Sequence, residues 1–263
     1  MQVEANRLLR FIAVSNSSVA EVNDRASQLD AHLLGKTLRL KARRYPSSDL
    51  GILYQVLGKS EYALVIDLVN QLNLKAPLSI VDAGANVGYA SLYFKAAFPD
   101  ARILALEIDA SNANQLERNI ASNSLSDLRA SRQALWSHSA NLRIRRDFRD
   151  QSECSFYVEE TEERPDVTGS SLEQLCHELS WTGVDILKID VEGGERHLFA
   201  TDLLADKLLA ATHILAIEIH DEFGIRPMML RHFERNGFRH VNRGDLTIAY
   251  RATGLPQPPL NLA

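Results

Sequence analysis

The sequence predicts an α/β fold in which a mostly parallel, Rossmann-like sheet follows a helical cap and ends in an antiparallel hairpin. The first observation is the stretch SIVDAGANVG from Ser79, where a strand pattern runs into a glycine-spaced turn and then a helical pattern. The second is that apolar strand and helix patterns alternate after it, and right-handed crossovers make such strands parallel. The third is the turn Arg243-Gly244-Asp245 between the last two strand patterns, which indicates a hairpin.

The composition is typical of one large globular domain with an appendage: the chain has 263 residues, of which 45% are hydrophobic and 24% charged. A net charge of −5 gives no overall attraction for nucleic acid, so no nucleic-acid partner is expected. The two cysteines lack C-x-x-C spacing, and no apolar run approaches the roughly 18 residues of a membrane span. We therefore expect a cytoplasmic protein without a membrane span. Its oligomeric state stays open, with a homodimer as one candidate.

Residues 1–75 are predicted to form the N-terminal helical cap. Apolar residues recur at mostly helical intervals over residues 4–34, which predicts two helices there. Apolar and basic residues alternate over residues 37–41 and predict an edge strand. Two further helices are expected over residues 50–57 and 61–72.

Residues 76–252 are predicted to form the main domain, whose first half has the order β-α-β-α-β. After the opening strand, a helix is expected over residues 90–98, a strand over 102–106, a helix that Ser111 can cap, and a strand over 128–135. Residues 136–167 are polar and irregular, which predicts a hairpin or loop excursion.

The second half of this domain is predicted to begin with a helix over residues 172–179, for which Ser171 and Gln174 fit a capping box. Further strands are expected over residues 184–189, 214–219, 237–241 and 247–250. Residues 253–263 form a Pro-rich tail that we expect to be extended and poorly ordered.

The glycine-spaced turn predicts a site for a small polar ligand, because Gly84 and Gly88 let a ligand approach the main chain at the start of a helix. Asn86 and Tyr89 stand where a dinucleotide fingerprint would need further glycines, so a pyrophosphate is not expected. Glu107 closes the next strand at roughly the 20-residue distance where a carboxylate binds both ribose hydroxyls of an adenosine.

Adenosine without a pyrophosphate suggests S-adenosylmethionine as the cofactor, and Asp82 at the mouth of the first strand would then face its ammonium group. The alternative is a βαβ unit whose glycine-rich turn is purely structural.

Polar residues also follow two apolar strands, at a rim where ligands bind in open α/β sheets. Asp190 and Glu192 follow residues 184–189, while Glu218 and His220 lie at the end of residues 214–219. Residues two apart in a strand point the same way, so each pair can face the ligand together. The alternative is that these groups only cap the sheet against water.

These motifs together resemble the FkbM family of S-adenosylmethionine-dependent methyltransferases. The resemblance covers residues 37–251 and is carried by VDAGANVG, Glu107, KIDVEGGE, IEIH and the upstream SDLGILYQVLGKSEY. It implies a class I methyltransferase fold with a seven-stranded sheet. It also implies O-methylation of a hydroxyl on a sugar, glycolipid or polyketide-type natural product, and therefore a small-molecule or glycan acceptor and a role in natural product biosynthesis.

The resemblance also implies roles for individual residues. Gly194 departs from it, in a slot that is usually not glycine. The catalytic candidates are His220, Asp190, Glu192 and Glu218. The cofactor-binding candidates are Asp82, Gly84, Asn86, Gly88, Glu107, Ile108, Ala134, Asp190, Ser48, Asp49 and Tyr62, with Glu61 also in the cap over the cofactor.

His220 is the first candidate for the base that removes the hydroxyl proton, because an ordinary histidine pKa of about 6.5 leaves it largely neutral at pH 7. A cluster of carboxylates with an imidazole needs a proton or a cation among them. The candidate metal ligands for a divalent ion such as Mg²⁺ are Asp190, Glu218 and His220. The nearby Lys188 and the absence of dedicated ligand spacing favour the metal-free form.

Two other functions stay open on the sequence. The first is an NAD-dependent oxidoreductase, which the missing third glycine and the C-terminal hairpin disfavour. The second is a catalytically inactive cofactor-binding interaction module, which the four polar rim residues disfavour.

Overall fold

The computed structural model describes residues 18–22, 26–44, 46–145 and 157–251, and the elements below lie within them. The strands are β1 (Ser18–Val22), β2 (Ala26–Leu33), β3 (Lys36–Arg43), β4 (Ser79–Ala83), β5 (Arg102–Leu106), β6 (Leu128–Ser131), β7 (Gln133–Leu135), β8 (Ala140–Arg145), β9 (Tyr157–Glu160), β10 (Val167–Ser170), β11 (Val184–Ile189), β12 (Thr212–Glu218), β13 (Phe238–Arg243) and β14 (Leu246–Arg251). The helices are α1 (Asp49–Leu53), α2 (Ala63–Gln71), α3 (Tyr89–Ala97), α4 (Ala110–Ser122), α5 (Leu172–Leu179), α6 (Glu195–Leu198), α7 (Asp202–Ala210) and α8 (Arg226–Arg235), with a π-helix at Tyr54–Gly58 and a 3₁₀ turn at Asp221–Phe223.

The central sheet has seven strands in the order β13-β14-β12-β11-β4-β5-β6. The five strands from β12 to β6 are parallel, and β14 runs antiparallel to both β12 and β13. This confirms the predicted α/β class, the mostly parallel seven-stranded sheet and the closing hairpin. β4 is buried at all five positions because packed helices cover both of its faces.

Successive side chains of the central strands alternate between two hydrophobic cores. Ile80 packs with Leu92 and Phe94 of α3 on one face, whereas Val81 belongs to the opposite core with Phe233 of α8. Helices α6, α7 and α8 are not among the predicted elements. Within the described residues no helix is both long enough and apolar enough to cross a membrane.

The prediction of two helices over residues 4–34 is wrong for the part that the structure describes. β1 and β2 are strands, and with β3 they form a three-stranded antiparallel sheet; residues 1–17 lie outside the described residues. The sequence signal for the hairpin between β2 and β3 is the pair Leu34-Gly35, which forms a two-residue turn. Both residues have positive φ angles, 50° and 74°, as a tight hairpin requires. Leu29 and Ala31 are buried at the strand period of two. The predicted edge strand is confirmed as β3, and the helical part of the cap is α1, the π-helix and α2.

Polar side chains in α4 and just after it, together with Tyr89 of α3, hold the N-terminal sheet against the main domain. The backbone N–H groups of Lys41 and Arg39 donate to the side-chain oxygens of Asn119 and Asn123, each at 2.8 Å. The hydroxyl of Tyr89 donates to the Lys41 carbonyl at 2.9 Å. These bonds satisfy the open edge of β3, which would otherwise expose unpaired backbone groups. Described residues of both predicted segments, 1–75 and 76–252, also share one hydrophobic core.

Residues 128–135 do not form one strand as predicted. β6 ends at Ser131 in the central sheet, and β7 pairs with β10 in a second sheet of order β7-β10-β8-β9. The hairpin predicted within residues 136–167 is confirmed by the antiparallel pair β8 and β9. Its connection at residues 146–156 and the tail at 253–263 lie outside the described residues.

Two helices have side-chain caps at positions that bear on the predictions. The predicted capping box of α5 is present at Ser171 and Gln174. The cap of α4 is Asp109 and not Ser111, because the Asp109 carboxylate accepts the N–H groups of Ser111 and Asn112 at 2.9 Å each.

Candidate active site

A cleft opens at the carboxyl ends of β4, β5 and β11, where the parallel sheet places its loops. It holds about 700 Å³ of space, counting the part that is open to solvent. Predicted site residues and residues that the sequence analysis missed both contribute to it. The lining includes Gly84, Asn86, Glu107, Ile108, Asn112, Gln133, Ala134, Trp136, Val158, Asp190, Glu192 and Gly194.

The two glycines of the first loop are required by its geometry. Gly84 has φ of +76°, and a Cβ at this position would lie 1.7 Å from the Asp190 carbonyl oxygen. Gly88 has φ of +90°, and its Cβ would lie 2.4 Å from Leu116 Cδ1. A side chain at either position would therefore be strained and would push the loop away from its neighbours.

Glu107 fixes the loop that faces it across the cleft. Its carboxylate oxygens accept the backbone N–H groups of Asn86 and Asp109, each at 2.8 Å. Burial raises the pKa of Glu107 to about 7, although the two N–H groups lower it. Each oxygen accepts one bond from the protein and can accept another from a ligand. Asn86 Oδ1 is buried without a hydrogen-bond partner among the described residues.

Asp82 is not part of the cleft lining. Its carboxylate is fully buried, accepts the hydroxyl of Ser91 at 2.6 Å, and lies 3.3 Å from Lys188 Nζ. Lys188 Nζ donates to the Gly84 carbonyl at 2.6 Å and lies 3.6 Å from Asp190 Oδ2. Burial lowers the pKa of Lys188, but Asp82 and Asp190 outweigh it and raise the pKa above its ordinary value. The charge of Asp82 is therefore offset inside the protein.

His220 lies between two carboxylates at the end of β12. Its Nδ1 is 2.9 Å from Glu195 Oε1, and its Nε2 is 3.5 Å from Glu192 Oε2. Burial lowers the pKa of His220, but hydrogen bonds to Glu192 and Glu195 raise it to about 10. The ring is therefore a cation at pH 7. This corrects the expectation of a neutral His220, because the two carboxylates stabilise the protonated ring.

Glu195 is a site residue that the sequence analysis did not identify. Its side chain is fully buried and accepts the backbone N–H groups of His220 and Gly193, both at 3.0 Å. The only signal in the sequence is its place at the end of KIDVEGGE.

The predicted convergence of rim residues is present. One side-chain ligand atom from each of Asp190, Glu218 and His220 lies within 4.8 Å of the others. Burial, Asp190 and Glu192 raise the pKa of Glu218 to about 7, whereas His220 lowers it. Both ring nitrogens of His220 face carboxylates, so a divalent ion would have to displace one of these contacts to reach the ring.

Three of the predicted cofactor residues lie in the N-terminal cap and not in the cleft lining. Asp49 is fully buried and forms an ion pair with Arg43 at 2.8 Å, and Ser48 precedes it at the start of α1. Tyr62 is buried with its ring centroid 5.2 Å from that of Phe94. Next to Tyr62, burial raises the pKa of Glu61, whose carboxylate accepts a bond from Gln55 at 2.6 Å.

Trp136 forms part of the cleft wall and was missed, because it begins a stretch that reads as a polar excursion. Its Nε1 donates to Glu160 Oε1 at 2.9 Å, and its ring centroid lies 4.3 Å from that of His197. Ile108 and Ala134, both predicted, line the same cleft as this indole. The wall is therefore apolar and suits a planar group.

Comparison with known proteins shows that residues 82–240 match the methyltransferase FkbM domain. Methyltransferase sdnD of Sordaria araneosa is 28% identical over 197 residues, which cover 63% of this chain and 75% of that protein. A SAM-dependent methyltransferase from Agrobacterium tumefaciens is 12% identical with a TM-score of 0.49, over 88% of this chain and 72% of the other. The N-terminal domain of human METTL16 in complex with SAH is 14% identical with a TM-score of 0.47, over 95% of this chain and 81% of the other.

Proposed function

This chain belongs to the FkbM methyltransferase family, and we propose that it transfers a methyl group from S-adenosylmethionine to a hydroxyl of a sugar, glycolipid or polyketide-type natural product. The observation that carries the proposal is the group of Asp190, Glu218 and His220 beside a cleft that also contains Glu107. Family membership makes the protein a methyltransferase and excludes the NAD-dependent oxidoreductase. In this proposal residues 76–252 bind the cofactor and residues 1–75 form the cap.

The residues of the cleft fit S-adenosylmethionine. Glu107 can accept both ribose hydroxyls, and the unpartnered Asn86 Oδ1 can accept a further donor. Ile108, Ala134 and Trp136 offer an apolar wall for the adenine. When bound, the cofactor supplies a methyl group on a positively charged sulfonium. We propose that four residues keep the shape of this site and take no part in the chemistry: Gly84, Gly88, Asp82 and Lys188.

We propose Glu218 as the group that accepts the hydroxyl proton. A pKa of about 7 leaves a large fraction of its carboxylate charged at neutral pH and still basic enough to take a proton. His220 is already protonated, so its role is to offset the charge of the surrounding carboxylates and of the acceptor oxygen as its proton leaves. Asp190 and Glu192 complete the pocket that orients the hydroxyl. This proposal needs no divalent ion.

The test is methyl transfer to a panel of sugar, glycolipid and polyketide hydroxyls after exhaustive chelation. We expect turnover to survive chelation and to fall at least about a hundredfold in Glu218→Gln and His220→Gln, while calorimetry shows unchanged cofactor binding. Glu234→Gln, an exposed carboxylate on α8, is the control. Activity restored only by Mg²⁺, or wild-type rates in both variants, would show that this assignment of the rim is wrong. Transfer to amines alone would contradict the hydroxyl acceptor.

A further inference from the structure

A buried carboxylate joins the two loops that carry the rim residues. We infer that Glu195 is a positioning residue that fixes both the ring of His220 and the turn at residues 190–194, and the catalytic part of this inference rests on the proposed function. Glu195 does not line the cleft, so it acts through the groups that it holds.

The geometry shows which loops Glu195 joins. Oε2 accepts the N–H of Gly193, in the loop after β11. Oε1 lies 3.0 Å from the backbone nitrogen and 2.9 Å from Nδ1 of His220, at the end of β12. The carboxylate is fully buried, so these protein groups, and not bulk water, stabilise its charge.

The turn that Glu195 closes has an unusual backbone. Glu192 has φ of +51°, a left-handed conformation that residues with a side chain rarely adopt. Gly193 has φ of +92°, and a Cβ there would lie 2.3 Å from Phe223. The surrounding structure must therefore hold this turn in place. One result is that Glu192 Oε2 lies 3.5 Å from His220 Nε2, on the side of the ring opposite Glu195.

Charged groups from both loops face the ring. They are Glu192 and Glu195 at its two nitrogens, with Asp190, Glu218 and Asp221 close by. With Nδ1 held by Glu195, the ring can present only Nε2 to the rim. Removing the charge of Glu195 would free the ring to turn and would leave Nδ1 without its carboxylate partner.

The test compares Glu195→Gln with Asp185→Asn. The glutamine keeps the size of the side chain and one accepting oxygen, but it loses the charge and places an NH₂ group against an N–H donor. Asp185 is the matched control because it lies at the other end of β11, where its carboxylate accepts the N–H of Ser79 at 2.7 Å. A purely structural role would give both variants similar losses of thermal stability and no other change.

The readout is NMR of ¹⁵N-histidine-labelled protein bound to S-adenosylhomocysteine, and it needs no acceptor. We expect the Nδ1–H signal of His220, which Glu195 holds in the wild type, to shift and to exchange at least about tenfold faster with solvent in Glu195→Gln, and to stay unchanged in Asp185→Asn. With an acceptor from the panel, kcat should fall at least about tenfold with KM little changed. An unchanged His220 spectrum in folded Glu195→Gln would overturn the inference. A changed spectrum without turnover on any hydroxyl would count against the proposed function alone.

If Glu195→Gln does not fold, the wild-type protein still provides a test. A ring held by Glu195 should show a proton on Nδ1 that exchanges slowly with solvent. A freely exchanging Nδ1 proton would overturn the inference.

Discussion

Replacing Glu107 tests the cofactor site most directly. Its carboxylate can accept two ribose hydroxyls in addition to the N–H groups of Asn86 and Asp109. A hydrogen bond to a charged group contributes about 1.5 to 3 kcal/mol, so Glu107→Ala should lose about 3 to 6 kcal/mol of binding. Since about 1.4 kcal/mol is a tenfold change, the Kd for S-adenosylmethionine should rise roughly 10²- to 10⁴-fold.

The glutamine variant refines this measurement. Glu107→Gln keeps one accepting oxygen, so its loss should be about 1.5 to 3 kcal/mol, roughly half that of the alanine variant. Calorimetry with S-adenosylmethionine and S-adenosylhomocysteine measures both, and Glu117→Ala on the exposed side of α4 is the control. Thermal melts show whether each variant is folded. If folded Glu107→Ala binds the cofactor with wild-type affinity, our placement of the ribose is wrong.

Three further outcomes are expected. Burial raises the pKa of Glu107 to about 7, so its carboxyl group is mostly protonated below that pH. Because the charged form binds the ribose, calorimetry should show roughly tenfold weaker cofactor binding at pH 6 than at pH 8. Equal affinities would contradict a charged carboxylate at the ribose. Asp49→Asn breaks a buried ion pair with Arg43 and should lower the free energy of unfolding by about 3 kcal/mol in urea titrations. Gly84→Ala places a Cβ 1.7 Å from the Asp190 carbonyl oxygen. The same urea titration should show a loss of more than about 2 kcal/mol in the free energy of unfolding. A variant as stable as the wild type would show that the loop can move away.

Much of the candidate site could be predicted from the sequence because its residues lie at the ends of predicted strands. Asp190 follows β11 and Glu218 ends β12; these strands are neighbours in the sheet, and parallel strands place their carboxyl ends at one rim. Glu107 and the glycine turn were predictable for the same reason. Trp136 was not, because nothing local shows that the polar stretch after it folds back as β8 and β9 over the cleft.

The sequence by itself determined the features that depend on a few neighbouring residues. These features are the strand and helix periods, the capping box at Ser171 and the glycine turn. Each is local, because the residues that form it lie close together in the sequence. Where a local pattern fitted two structures, as over residues 26–33, only the pairing of β2 with β3 decided between them. The charge of His220 was also decided by tertiary structure, since a pKa responds to groups within a few ångströms, and folding brings Glu192 and Glu195 to its two nitrogens from another loop.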